Sequence, residues 1–217
     1  MPGLKALRRF ESMKELVHAS LSLVLGLSIA SCRTGLAVHS KTGSQAQSES
    51  AKSAEESLPL KLPLAKPKIV VKKSQRQLLL FSGDQLVRTY KIGLGLNPLG
   101  DKVREGDRRT PEGEFYIFDK NTNSQFYLSL GISYPNAAHA ERGLRDGLIT
   151  RAQYGQIMSA LKAKKGPPQN TPLGGEIYIH GHGAESDWTW GCVALENDDI
   201  RELFDAVKIG TAVTIEP

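Results

Sequence analysis

The chain has 217 residues, of which 40% are hydrophobic, with 28 basic and 23 acidic side chains and a formal net charge of +5. Residues 67–217 alone hold 19 basic and 18 acidic residues, a net of +1, so the excess positive charge lies ahead of them. A nucleic-acid binder carries its positive charge on the folded body, and this balance argues against such a partner.

Lys5, Arg8, Arg9 and Lys14 precede an apolar core within Leu21–Ile29, followed by Ala30, Ser31 and Cys32. A membrane-spanning helix needs about 20 apolar residues. This run is too short and reads as a signal peptide over residues 1–31. Ile29-Ala30-Ser31-Cys32 resembles the lipobox of bacterial lipoproteins, in which the cysteine is lipidated and becomes the first mature residue. Cys32 is therefore the expected lipidation site, with an ordinary cleaved signal as the plainer reading and Met13 as an alternative start. Residues 33–66 are rich in Ser, Ala, Lys, Glu and Gln, lack aromatics, and include Pro59 and Pro63. Such a composition buries too little apolar surface to offset chain entropy, so residues 32–66 read as a lipidated cysteine and a flexible tether. The expected location is the periplasmic side of a bacterial membrane. With Cys32 acylated, Cys192 has no partner for an internal disulfide.

Residues 67–217 suffice for one hydrophobic core. Lys68–Lys72 and Gln77–Phe81 read as strands joined through Lys73–Arg76, and Ser82–Asp84 as a turn. Gln85–Ile92 then alternates polar and apolar residues, as a half-buried strand does. Gly93, Gly95, Pro98 and Gly100 mark a loop. Gly113–Phe118 and Tyr127–Tyr134 read as further strands. Between Asp146 and Lys165 the period becomes helical, with Ile149, Tyr154, Ile157, Met158 and Leu161 on one face. A second helix follows the cysteine: Asn197 is its expected cap, Asp198 and Asp199 suit its positive end, and Ile200, Leu203, Phe204 and Val207 share a face. Ala212–Ile215 closes the sheet. The expectation is a mainly β, α+β domain with two short helices, and His139 in a loop.

Cys192 lies in Thr189-Trp190-Gly191-Cys192-Val193-Ala194-Leu195, shortly after Ile179-His180-Gly181-His182-Gly183. A thiol attacks as thiolate, and a neighbouring imidazole is the usual means of producing one near neutral pH. The flanking runs Glu176–Ile179 and Val193–Leu195 read as short buried strands, which puts the chemistry where strands end. His180 and His182 are rival bases, since side chains two apart on a strand share a face. The backbone N–H groups of Gly191 and Cys192 are the candidate oxyanion donors.

Ile179-His180-Gly181 followed by Asp187-Trp188-Thr189-Trp190-Gly191-Cys192-Val193-Ala194-Leu195 closely resembles the signature of YkuD-type L,D-transpeptidase domains. Within Gly106–Tyr116, Arg108-Arg109-Thr110-Pro111-Glu112-Gly113 is similar to that family's Arg-x-Thr-Pro-x-Gly segment. The resemblance covers residues 68–217 and implies a β-sandwich-like sheet assembly with the cysteine at the edge of a groove. It implies an acyltransferase that acts on peptidoglycan stem tetrapeptides, forms a thioester at the third-residue carbonyl, releases D-alanine and passes the acyl group to an amine. The product is a crosslink or an attached wall protein, which makes such a protein a candidate partner. The resemblance also implies that His180 is the base and that carbapenems acylate the cysteine. His182, Arg109, Trp188, Thr189 and Trp190 are candidates for substrate binding. Trp190 and Ala194 stand where many members have His and Arg, so no arginine beside the cysteine is available for a substrate carboxylate.

Other readings stay open at this point. The same thioester resolved by water would make a carboxypeptidase or amidase. His180, His182 and Cys192 are residue types that zinc accepts, although no fourth ligand stands out at a suggestive spacing and neither metal nor cofactor is expected. A lipid-anchored wall-binding protein would have no need of the thiol.

Overall fold

The computed structural model describes residues 59–217. The signal peptide, Cys32 and most of the tether lie outside them. Strands β1 (Pro67–Lys72), β2 (Gln77–Ser82), β3 (Gln85–Lys91), β4 (Gly113–Ser124) and β5 (Tyr127–Ile132) come first. Helices α1 (Ala137–Arg145) and α2 (Arg151–Lys162) follow, then β6 (Tyr178–His180), β7 (Val193–Ala194), α3 (Asn197–Ala206) and β8 (Ala212–Glu216).

All eight strands join one sheet in the order β3-β2-β1-β8-β4-β5-β6-β7. The β1–β8 and β6–β7 pairs are parallel, the others antiparallel. Just past the end of β3, Gly93 exchanges two backbone hydrogen bonds of 2.9 and 2.8 Å with Ala194 on β7. The two edges of the sheet thus meet, and the sandwich-like assembly is realised as a single curled sheet. Alternation along the strands turns Ile69, Val71, Leu78, Leu80, Ile117 and Val213 into its interior. Helix α3 closes the same core with Ile200 and Leu203, both fully buried. Each such side chain contributes about 1.5–3 kcal/mol relative to an exposed one.

Several boundaries differ from the sequence reading. Strand β4 runs on through the polar stretch Asp119–Ser124, where irregular register with β5 accommodates residues that alternate poorly. Helix α2 begins at a complete capping box between Thr150 and Gln153. Helix α3 starts from Glu196 without a side-chain cap, because Asn197 Oδ1 accepts the N–H of His182 instead. A third helix, α1, went unread: its inner side buries His139, Ala140 and Gly143, and Leu144 is its one large aliphatic residue packed against a core. His139 is therefore helical, with its ring nitrogens 2.5 Å from Asn136 Oδ1 and 3.0 Å from Asp101 Oδ1. Burial opposes the Asp101 charge, but His139, the Glu112 N–H and Arg142 outweigh it and hold the carboxyl down at about 2. The folded body also reaches back before residue 67. Leu60 and Leu64, placed in the tether by composition, pack against the main core.

Candidate active site

Parallel pairing of β6 with β7 sets Ile179 opposite Val193 and His180 opposite Ala194. Continuing that register aligns Cys192 with Tyr178, and the Tyr178 N–H lies 3.4 Å from Cys192 Sγ. Neighbouring side chains in register share a face of a sheet, as do residues two apart on one strand. Cys192 and His180 are therefore on one face, separated along the strand by roughly 6.6 Å of rise. The thiol also points to the Glu176 carbonyl at 3.5 Å. His180 Nδ1 lies 2.7 Å from the Gly181 carbonyl oxygen, a contact that assigns the ring proton to Nδ1 and leaves Nε2 as the acceptor. Phe126 stacks on this ring at 4.5 Å, and Trp188 meets it edge-on at 5.5 Å. Trp188 is held in turn by its Nε1–H on the Gly183 carbonyl, 3.1 Å away.

Three distant chain segments interlock behind the thiol. Gly95 bridges to Thr189, and a Cβ at Gly95 would stand 2.2 Å from the Arg108 carbonyl oxygen. Gly191 has a φ of +130°, and a Cβ there would meet the Arg109 carbonyl oxygen at 2.7 Å. Only glycine allows backbones to approach this closely, and at Gly191 to take this φ. Thr189, almost fully buried, accepts the Gly191 N–H at 3.1 Å and donates to the Cys192 carbonyl at 2.8 Å. The loop that carries Arg108 and Arg109 is fastened by two buried lysines. Lys73 donates to Gly100, Thr110 and Glu112, and Lys102 to Arg104 and Asp107.

The resting pair is neutral. Burial pushes the Cys192 thiol up to about 11, against the smaller opposing pull of the Tyr178 N–H. Burial also lowers His180 below its ordinary value, helped by nearby His182 and opposed by the Gly181 bond. Both shifts favour the uncharged thiol and imidazole over a thiolate–imidazolium pair.

Cys192 and His180 both line a cleft of about 490 Å³, together with Trp188, Thr189 and Trp190. The shared-face expectation fails for His182. Strand β6 ends at His180, and His182 takes a φ of +77°, lies exposed, and is not among the cleft-lining residues. Arg109 also stays out of the cleft, with its guanidinium donating to the Asp101 carbonyl at 3.3 Å. Trp190 is 66% exposed and stacks under Arg108 at 4.9 Å. Of the expected oxyanion pair, the Gly191 N–H is taken by Thr189 Oγ1 at 3.1 Å. Tyr134 is core, with its hydroxyl on the Leu173 carbonyl. The sequence reading missed Phe126, Asn121, Asn123 and Glu176, all of which line the cleft. Phe126 lies in the β4–β5 turn, where only the return of that hairpin over His180 would have revealed it.

The chain matches known proteins as follows. Residues 66–215 match the model of the YkuD family, the L,D-transpeptidase catalytic domain. A probable L,D-transpeptidase, ErfK/SrfK of Salmonella typhimurium, is 32% identical over 141 residues, covering 54% of this chain and 46% of that protein. A putative L,D-transpeptidase, YafK of Escherichia coli K12, is 30% identical over 126 residues, covering 57% of this chain and 38% of that protein. The chain thus spans less than half the length of either curated relative. Among solved structures, an L,D-transpeptidase fragment from Xylanimonas cellulosilytica superposes with a TM-score of 0.44 at 16% identity, covering 78% of this chain and 69% of that one.

Proposed function

The chain belongs to the YkuD family of L,D-transpeptidase catalytic domains, and we propose that it is a Cys192-dependent L,D-transpeptidase acting on peptidoglycan stem tetrapeptides. The observation that carries this reading is the Cys192 thiol on the same cleft face as the His180 imidazole, whose Nε2 is free of the Gly181 bond. His180 Nε2 takes the thiol proton as sulfur attacks the carbonyl of the third stem residue. The Cys192 N–H steadies the tetrahedral oxyanion. Collapse breaks the peptide bond, His180 returns its proton to the departing D-alanine amine, and the acyl group remains as a thioester. An amine of a second stem, or of a wall protein, then displaces sulfur.

Muropeptide analysis after incubating the full chain with tetrapeptide stems tests this. Crosslinked dimers are expected from the wild type and none from Cys192→Ala. Crosslinking by that variant, or an activity removed by a chelator, would overturn the thiol mechanism. Tripeptide alone, without dimers, would make the enzyme a carboxypeptidase.

Lipid anchoring at Cys32 completes the proposal. Two or more acyl chains give stable membrane attachment, whereas one chain is marginal. With Leu60 and Leu64 packed on the core, residues 34–59 reach at most roughly 90 Å fully extended, which lets an anchored catalyst work on nearby wall. Metabolic palmitate is expected to label the wild type and not Cys32→Ala; an unlabelled wild type would refute the anchor.

A further inference from the structure

Glu176 is the acidic side chain among the residues that line the Cys192 cleft; most of the others are amides, hydroxyls and aromatics. It is exposed, and its carboxylate enters no ion pair among the described residues. Its backbone is fixed: the N–H donates to Gln169 Oε1 at 2.7 Å, and the carbonyl faces Cys192 Sγ at 3.5 Å. Residue 176 holds a φ of +54°, an uncommon conformation for a residue with a side chain. The backbone of residue 176 is thus fixed against the sulfur, and its exposed carboxylate is near enough for its charge to act on the thiol.

Such a group works against the chemistry of the first step. A negative charge beside a thiol disfavours the thiolate, and Glu176 adds to burial in pushing Cys192 up. Its position makes sense if a cation arrives there during turnover. The nucleophile of the second step is such a cation, since an alkyl amine reaches the site as ammonium near neutral pH. It must also come to rest beside the thioester carbonyl, hence beside Sγ. The side-chain amine of a donor's third residue lies several bonds away from that carbonyl and fits the position less well.

We propose that Glu176 is the acceptor-binding residue, its carboxylate holding the ammonium of an incoming diamino-acid stem peptide beside the Cys192 thioester. This rests on the transpeptidase reading above and adds what selects amine over water. The ammonium docks on Glu176 and releases one proton, through His180, to solvent. Its nitrogen forms a bond to the thioester carbonyl carbon, the C–S bond breaks, and the departing sulfur takes a second proton from the nitrogen. One ammonium and one thioester give one amide, one thiol and one released proton. A charge-assisted hydrogen bond is roughly twice as strong as a neutral one, so the carboxylate matters more than an amide of the same shape.

The test uses the full chain with a tetrapeptide donor and a tripeptide acceptor ending in meso-diaminopimelate. Intact mass reads thioester formation, and product analysis reads the ratio of crosslinked to hydrolysed donor as acceptor is raised. Glu176→Gln should need about two- to fivefold more acceptor for half-maximal crosslinking, the range for an ion pair at an exposed carboxylate, with released tripeptide rising in its place. Glu176→Asp, which keeps the charge, should recover most of the wild-type ratio. Equal acceptor dependence in Glu176→Gln and wild type would overturn the assignment. So would a Glu176→Gln variant that forms no thioester while Glu176→Asp does, since the carboxylate would then belong to the first step. A wild type that forms no thioester would sink the transpeptidase reading itself.

Discussion

Thr189→Val tests whether the buried hydroxyl behind Cys192 sets the geometry of the thiol. The two side chains have nearly the same shape, so the change deletes one oxygen and little packing. That oxygen accepts the Gly191 N–H at 3.1 Å and donates to the Cys192 carbonyl at 2.8 Å. Leaving a buried polar group unsatisfied costs about 1–3 kcal/mol. The Cys192 carbonyl keeps a weaker partner in Thr110 Oγ1 at 3.5 Å, so the loss should fall near that range for one group rather than twice it. For a folded body of this size each kcal/mol lowers Tm by about 2–4 °C, which gives a drop of about 2–12 °C. The Trp190–Gly191 peptide, once its N–H is released, is also free to rotate beside Cys192, and a misplaced nucleophile slows acylation by up to about 100-fold. Urea unfolding and the rate of carbapenem adduct formation, followed by intact mass, read the two effects. Thr189→Ser should restore both. A Thr189→Val protein equal to wild type in midpoint and acylation rate would refute the bridging role.

His180→Ala should abolish acylation, because loss of a general base typically costs about 10²–10⁴-fold, whereas His182→Ala should slow it only mildly; the reverse ranking, read from adduct mass against time, would reassign the base. The acylation rate should stay level below pH 6.5 and fall only at lower pH, because His180 must be neutral to act and burial lowers its pKa from 6.5; an acid limb above 6.5 would contradict that. The same two groups set stability at opposite ends. Neutral His180 contributes stability that is present above pH 6.5 and lost as pH falls through its folded value. Cys192, raised from 9.0 to about 11, contributes stability that is present below pH 9 and lost as pH rises towards 11. Urea midpoints across pH for wild type and Cys192→Ala check the second sign: the alkaline loss should shrink in the variant.

Much of the sheet was readable because its strands either alternate or run apolar between turn residues. Gln85–Lys91 and Ala212–Glu216 fell within a residue of their expected ends. Helix α1 escaped because its buried side carries a single large aliphatic residue, Leu144, beside Ala140 and Gly143; tertiary packing of His139 against Phe115 and Tyr134 substitutes for an apolar stripe. The proposed catalytic pair was legible for a local reason, since His180 ends β6 and Cys192 immediately precedes β7, the strand paired directly with it. What surrounds them comes from afar. Phe126 arrives from a hairpin, Gly95 from the loop after β3, and Lys73 from the β1–β2 turn. No spacing rule joins residues 73, 95, 126 and 192, and only the closure of the curled sheet brings them together. His182 shows the converse error: period-two reasoning carried one residue pair past the end of a strand that stops at His180.

The electrostatics explain why such a thiol can sit at an open cleft without being spent. A thiol pushed up to about 11 is almost wholly protonated near neutral pH and presents little thiolate to oxidants or stray electrophiles. Reactivity then depends on what docks. In the proposed reaction, a donor stem that covers the cleft brings its carbonyl to the sulfur while His180, whose charged form is disfavoured by burial between Phe126 and Trp188, takes the proton. The same burial that raises the thiol lowers the imidazole, which moves both towards the uncharged pair. Proton transfer is thereby tied to formation of the C–S bond, and the glycine-lined crossing of three loops keeps the sulfur in place until that bond forms.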